Sequence, residues 1–183
     1  LNHLRVTDTF ENVHYQSFVH FVDLPQKLPE YGVKVFSIDN FRFPFDVCVH
    51  FEILSSHHAL QEVETKKRLL SGQMVESSSA YQQTSMNEEM GLAMSDVLQQ
   101  KLESGQTLGK VSIAISLADR ELKELNAKTS ELITHFQQIN FRAVRPIAKQ
   151  FETMLSFLPG SKTIAPPIAC DPGFIASLGV NFA

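Results

Sequence analysis

The chain has 183 residues, which suits one domain with a hydrophobic core, or one domain with an appendage. Its formal charge of -4 gives no electrostatic reason to expect a nucleic-acid partner. No apolar run approaches the roughly 18 residues of a membrane span, and no signal peptide is visible. The two cysteines, Cys48 and Cys170, form no C-x-x-C pair and are expected to be free thiols in a reducing compartment.

The first half of the chain predicts two strands. Residues 15–23 carry apolar side chains on both faces, as a central strand does. Residues 45–54 alternate strictly between apolar and polar side chains, which is typical of a strand with one buried face. The connection over residues 27–36 is interrupted by proline and glycine, so it predicts a short helix or a turn.

Residues 56–104 predict a pair of helices. Ser55-Ser56 offers a helix N-cap, and a thin apolar stripe follows it. Residues 72–84 are rich in serine and glutamine, so they are either the loop of a helical hairpin or the weak middle of one long helix. A methionine-rich stripe over residues 86–102 indicates an adaptable face that packs in the core. The other interpretation of this stripe is a groove that binds a partner. We expect a long helical hairpin insertion here.

The next strand and helix have clear signals. Residues 108–117 alternate with the period of a strand. Ser116 and Asp119 have the spacing of a capping box for the helix that follows. That helix is expected to run to Gln138, with one apolar side facing the core.

The stretch 140–160 predicts a strand over residues 141–145 and then a short amphipathic helix. Pro159 and Gly160 end that helix, because proline disfavours helical geometry before it and glycine tolerates the turn. The apolar side chains that share one face of this helix are Ile147, Phe151, Met154, Leu155 and Leu158.

This order of strands and helices predicts an α+β fold. Strand–helix–strand units of this length use right-handed crossovers onto a shared sheet. We therefore expect a two-layer, ferredoxin-like domain over residues 1–160, with helices on one face of a mostly antiparallel sheet. Residues 161–183 are rich in proline and glycine and predict an extended linker or arm.

Two glycine–lysine segments resemble phosphate-binding loops only superficially. The segment 105–110 reads G-x-x-x-G-K, which is one residue too short, and Val111 stands where a Mg²⁺-binding Ser or Thr is needed. It also leads into a strand, whereas the phosphate cradle needs a helix N-terminus. The segment 160–163 has neither an upstream glycine loop nor a following helix. Without a Walker A or B motif, we expect a non-enzymatic domain with no cofactor.

The histidines and thiols support an alternative to a domain without a cofactor, namely a metal or ligand site. His20 and His50 lie on predicted strands and could face each other across a sheet, and three histidines that meet with an acid such as Glu52 could hold zinc. No H-x-x-x-H or H-E-x-x-H pattern accompanies them, so ordinary surface or partly buried histidines are expected. The alternative is a free-standing small α+β ligand- or metal-binding protein that uses His20, His50 or Cys48.

Three basic residues, Arg142, Arg145 and Lys149, form a small cluster in the sequence. A solvated surface is one interpretation of such a cluster. A contact for an acidic partner is the other.

Three segments also carry a family resemblance. They are L-G-K-V-S-I-A-I-S-L-A-D-R-E-L-K-E-L from Leu108, F-R-A-V-R from Phe141, and Q-F-E-T-M-L-S-F-L-P-G from Gln150. Together they resemble the N-terminal domain of the type IV secretion and conjugation ATPases, the CagE/TrbE/VirB family. The likeness covers residues 15–182, and the tail from Ile175 resembles the segment just before the ATPase domain of that family.

The resemblance implies a non-catalytic docking domain. The parent protein would be a ring-forming ATPase, cytoplasmic and peripheral at the inner face of the cell membrane. It would energise pilus assembly or DNA transfer for a conjugative plasmid or transposon, with its Walker motifs beyond Ala183. This domain would contact membrane channel subunits and support self-association of the ATPase, without binding nucleic acid directly. Residues 161–183 would be the arm toward the ATPase domain.

Overall fold

The computed structural model describes residues 2–25, 36, 41–79, 95–100, 102–105, 107–170 and 173. The chain divides into two compact units, residues 1–52 with 110–183, and residues 53–109. The connection predicted over residues 27–36, except Phe36, lies outside the described residues, as do the methionines of the 86–102 stripe.

Six strands of the described residues form one antiparallel sheet, which confirms the α+β class. Its hydrogen-bonded order is β1-β2-β4-β3, with β5 beside β2 and β6 beside β4. All the strands predicted over residues 15–23, 45–54, 108–117 and 141–145 are present. The strands are β1 (Leu4–Thr7), β2 (Val13–Asp23), β3 (Asp46–Ile53), β4 (Gly109–Asp119), β5 (Arg142–Val144) and β6 (Ile168–Cys170).

One face of the sheet holds the main hydrophobic core. Helix α2 (Leu122–Gln138) packs on this face and buries Leu125, Leu132 and Phe136 completely. The Phe136 ring meets the Phe21 ring of β2 edge to face, with 4.9 Å between centroids. The strand residues that join this core are Val19, Phe21, Val111, Ile113, Ile115 and Leu117, every second residue of β2 and β4.

The turn from β4 into α2 differs from the predicted capping box. Ser116 is buried within β4, where its Oγ accepts a hydrogen bond from Gln16, so it does not cap the helix. Asp119 instead accepts the Glu121 N–H at 2.9 Å and pairs with Lys128 at 2.5 Å. The backbone and lysine hydrogen bonds to this carboxylate lower the pKa of Asp119. The helix entry is therefore fixed by an aspartate turn.

The other face of the sheet carries the short helix α3 (Gln150–Leu155). Phe18 and His20 alternate with the core-facing residues of β2, so their side chains point to this second face. His20 hydrogen-bonds Thr153, and the Phe18 ring contacts the Phe157 ring just after α3. The prediction that the helices share one face is therefore wrong for α3.

The unit of residues 53–109 contains helix α1 (Ser56–Ser79). Ser55 caps it as predicted, since its Oγ accepts the His58 N–H at 3.4 Å. Residues 72–79 are helical, so the described part of the serine-rich stretch continues the helix. A small core joins α1 to helical residues near 100, and its buried members are Leu54, Ala59, Val63, Leu102 and Leu108.

Part of the segment predicted as an extended arm, residues 161–183, pairs with the sheet. β6 lies beside β4, and Ala165 is buried. Residues 161–170 therefore belong structurally to the sheet domain.

Replacing Phe136 by alanine is expected to lower the free energy of unfolding by about 3–5 kcal/mol, because it leaves a cavity between α2 and the sheet. The matched control is Phe10→Ala, since Phe10 is 84% exposed and should cost less than about 0.5 kcal/mol. Urea denaturation of both variants measures the difference. Equal losses would contradict the placement of Phe136 in the core.

Candidate docking surface

Helix α3 packs with its polar side inward. Gln150, Thr153 and Ser156 are all buried, at 2%, 0% and 1% exposure. Their spacing of three residues places them on one side of the helix and of the turn that follows it. We call these three residues and their partners on the sheet the polar seam.

The first contact of the polar seam joins the Gln150 side chain to the backbone of Phe18. Its Oε1 accepts the Phe18 N–H at 2.7 Å, and its Nε2 donates to the Phe18 carbonyl at 3.2 Å and to the Pro146 carbonyl at 2.8 Å. β1 pairs with β2 as far as Gln16, and β5 pairs with β2 from His20 onward. The Gln150 carboxamide therefore occupies the interval between two neighbouring strands and satisfies backbone groups that neither strand reaches.

The second contact joins His20 to Thr153, whose Oγ1 lies 2.9 Å from His20 Nε2. The Thr153 hydroxyl donates its own proton to the Lys149 carbonyl at 2.7 Å. Because a hydroxyl has only one proton, His20 Nε2 must be the donor to Thr153, so the neutral ring carries its proton on Nε2. Burial, and then the charge of Lys149, lower the pKa of His20 below its usual 6.5.

The third contact of the seam uses the Ser156 carbonyl. His50 Nε2 donates to this oxygen at 2.9 Å, and the Cys48 thiol donates to it at 3.4 Å. Burial raises the pKa of the Cys48 thiol, which keeps it protonated and able to donate. Two side chains of β3 therefore hold the end of α3, and two residues of β2 hold its beginning.

The outward side of α3 is apolar. Ile147 is 78% exposed and Phe151 is 56% exposed, far more than core residues of their type. Val144, Leu155 and Leu158, which are near them in the chain, are exposed as well. We call these five residues the outer stripe. Phe151 and Leu155 lie on α3 and are exposed because the helix buries its polar side, whereas Val144, Ile147 and Leu158 lie in the residues that flank the helix.

The start of α3 carries an unusual backbone conformation. Ala148 has a φ of 64°, in the left-handed region that costs about 1–2 kcal/mol for a residue with a β-carbon. Gly160, beyond the other end, has a φ of 80°, which glycine adopts freely, and the chain turns there as predicted although the helix does not extend that far. The helix itself ends earlier, at Leu155, and Ser156, Phe157 and Leu158 continue as tight turns.

The three basic residues of the sequence cluster have different surroundings. Arg145 is half-buried, with Nε donating to the Asn2 carbonyl at 2.6 Å and Nη1 donating to the Asn126 side chain at 2.8 Å. Arg142 and Lys149 are exposed. Arg145 therefore ties α2 and the start of the chain to β5, and the other two residues are accessible to a partner.

The alternative metal-site residues lie within the polar seam. His20, His50 and Cys48 each donate a hydrogen bond to α3 or the residue after it. Among the residues that the structure describes, no three His, Cys, Asp or Glu side chains come together as metal ligands would. Within the same part of the chain, no helix has the length and apolarity needed to cross a membrane.

The spacing of apolar residues in the sequence does not predict the polar seam. Its signal was the repeat Gln150-x-x-Thr153-x-x-Ser156, which marks a helix face as regular as the apolar one. An apolar stripe normally indicates the buried side of a helix. The polar repeat on the opposite side is therefore expected to face solvent. The decisive partner is the backbone of Phe18, which no side-chain pattern can show.

The chain matches no protein-family model and no curated protein sequence.

Replacing Gln150 by methionine keeps the length of the side chain but leaves the Phe18 N–H and carbonyl buried without partners. We expect a loss of about 2–4 kcal/mol in the free energy of unfolding, because each such group costs about 1–3 kcal/mol. Hydrogen exchange of the Phe18 amide should also accelerate. The control is Gln137→Met on the exposed side of α2, and equal stability of the two variants would contradict the bridging role.

The polar seam is expected to weaken in mild acid. Since the pKa of His20 is lower in the folded chain than in the unfolded chain, the free energy of unfolding is highest above about pH 6.5 and decreases as the pH falls below it. His20→Gln should remove this part of the pH dependence. Urea denaturation between about pH 5 and 7.5 tests it, with exposed His57→Gln as the control, and identical profiles for wild type and His20→Gln would contradict it.

Proposed function

We propose that this chain is the N-terminal docking domain of a type IV secretion or conjugation ATPase. In this proposal the domain is ferredoxin-like, residues 56–104 are its helical hairpin insertion, and the outer stripe contacts membrane channel subunits of the secretion machinery. The parent would work at the cytoplasmic face of the membrane, with self-association through its ATPase ring and an arm leading from this domain to the motor.

The observation that carries the proposal is the outer stripe. Five large apolar side chains are exposed within 15 residues of the chain. Two of them lie on α3, whose opposite side is hydrogen-bonded to the sheet, and the other three lie in the residues that flank α3. Contiguous exposed apolar groups mark interaction surfaces far more often than isolated ones do. A partner that covers one half-exposed side chain such as Phe151 gains roughly 1–2 kcal/mol from the area removed from water.

The polar seam makes this surface well suited to docking. A short helix held at both ends by hydrogen bonds presents its side chains in fixed positions, so less conformational entropy is lost on binding. Exposed Arg142 and Lys149 stand near the stripe in the chain and could contact acidic groups on a partner. Arg145 contributes indirectly, since its hydrogen bonds fix β5.

The family resemblance also favours the outer stripe as the docking surface. Two of the three resembling segments, F-R-A-V-R and Q-F-E-T-M-L-S-F-L-P-G, form β5, α3 and the turns after it. The third forms β4 and the start of α2. The alternative of a free-standing ligand- or metal-binding protein would need His20, His50 or Cys48 as ligands, and the polar seam uses all three.

The gene provides the first test of the family proposal. A reading frame that continues beyond Ala183 into G-x-x-x-x-G-K-[ST] and a Walker B acid supports it. A frame that closes within a few codons removes its main support, and a metal and ligand screen would then address the alternative.

The outer stripe is tested by the double substitution Phe151→Ser with Leu158→Ser in the full-length protein. We expect affinity for the channel subunits of the same transfer system to fall about tenfold or more, because two apolar contacts are lost. Stability should fall by only about 1–3 kcal/mol, since each of the two side chains is 56% exposed. The control is Phe10→Ser, and full binding by the double variant, measured by calorimetry or co-purification, would contradict the proposal.

A further inference from the structure

We draw no further inference here: the strongest candidate, the cleft of about 420 Å³ lined by β3, β4 and the segment after α3, carries none because His50, Lys110 and Ser161 on its walls already have interaction partners and nothing in the described part of the chain shows what would fill it.

Discussion

The second face of the sheet depends on the Gln150 carboxamide. β2 is paired on one side with β4 along its centre, but on its other side β1 and β5 leave Phe18 between them. A side-chain amide has the same donor and acceptor as a peptide group, so Gln150 can occupy that position. Once it does, the direction of α3 is fixed, with Thr153 and Ser156 placed over His20 and His50. Because the polar side of α3 faces the sheet, its apolar side is exposed.

This arrangement reverses the usual relation between helix and core. Most amphipathic helices are held by apolar burial, and their polar side is solvated. α3 is too short to bury much area, and directed hydrogen bonds to β2 and β3 hold it instead. Buried hydrogen bonds of this kind stabilise a fold only when each buried polar group has a hydrogen-bond partner. In the polar seam, Gln150, Thr153 and the Ser156 carbonyl all have partners.

The strands and α2 could be predicted from the sequence because the spacing of their apolar side chains matches the residues that are buried. The alternation in β4 and the apolar side of α2, such as Leu125 and Phe136, match the core that forms. The seam could not be predicted in this way, because Gln150 pairs with backbone atoms 132 residues away. The capping box failed because Ser116 is still in the strand.

The position of Gln150 has a consequence for how the chain avoids unwanted association. An unpaired stretch of strand is a template for a strand from another molecule, and proteins block such stretches in several ways. Here one amide side chain covers the open interval of β2 at Phe18. Gln150 therefore covers backbone groups of β2 that could otherwise pair with a strand from another copy of the chain.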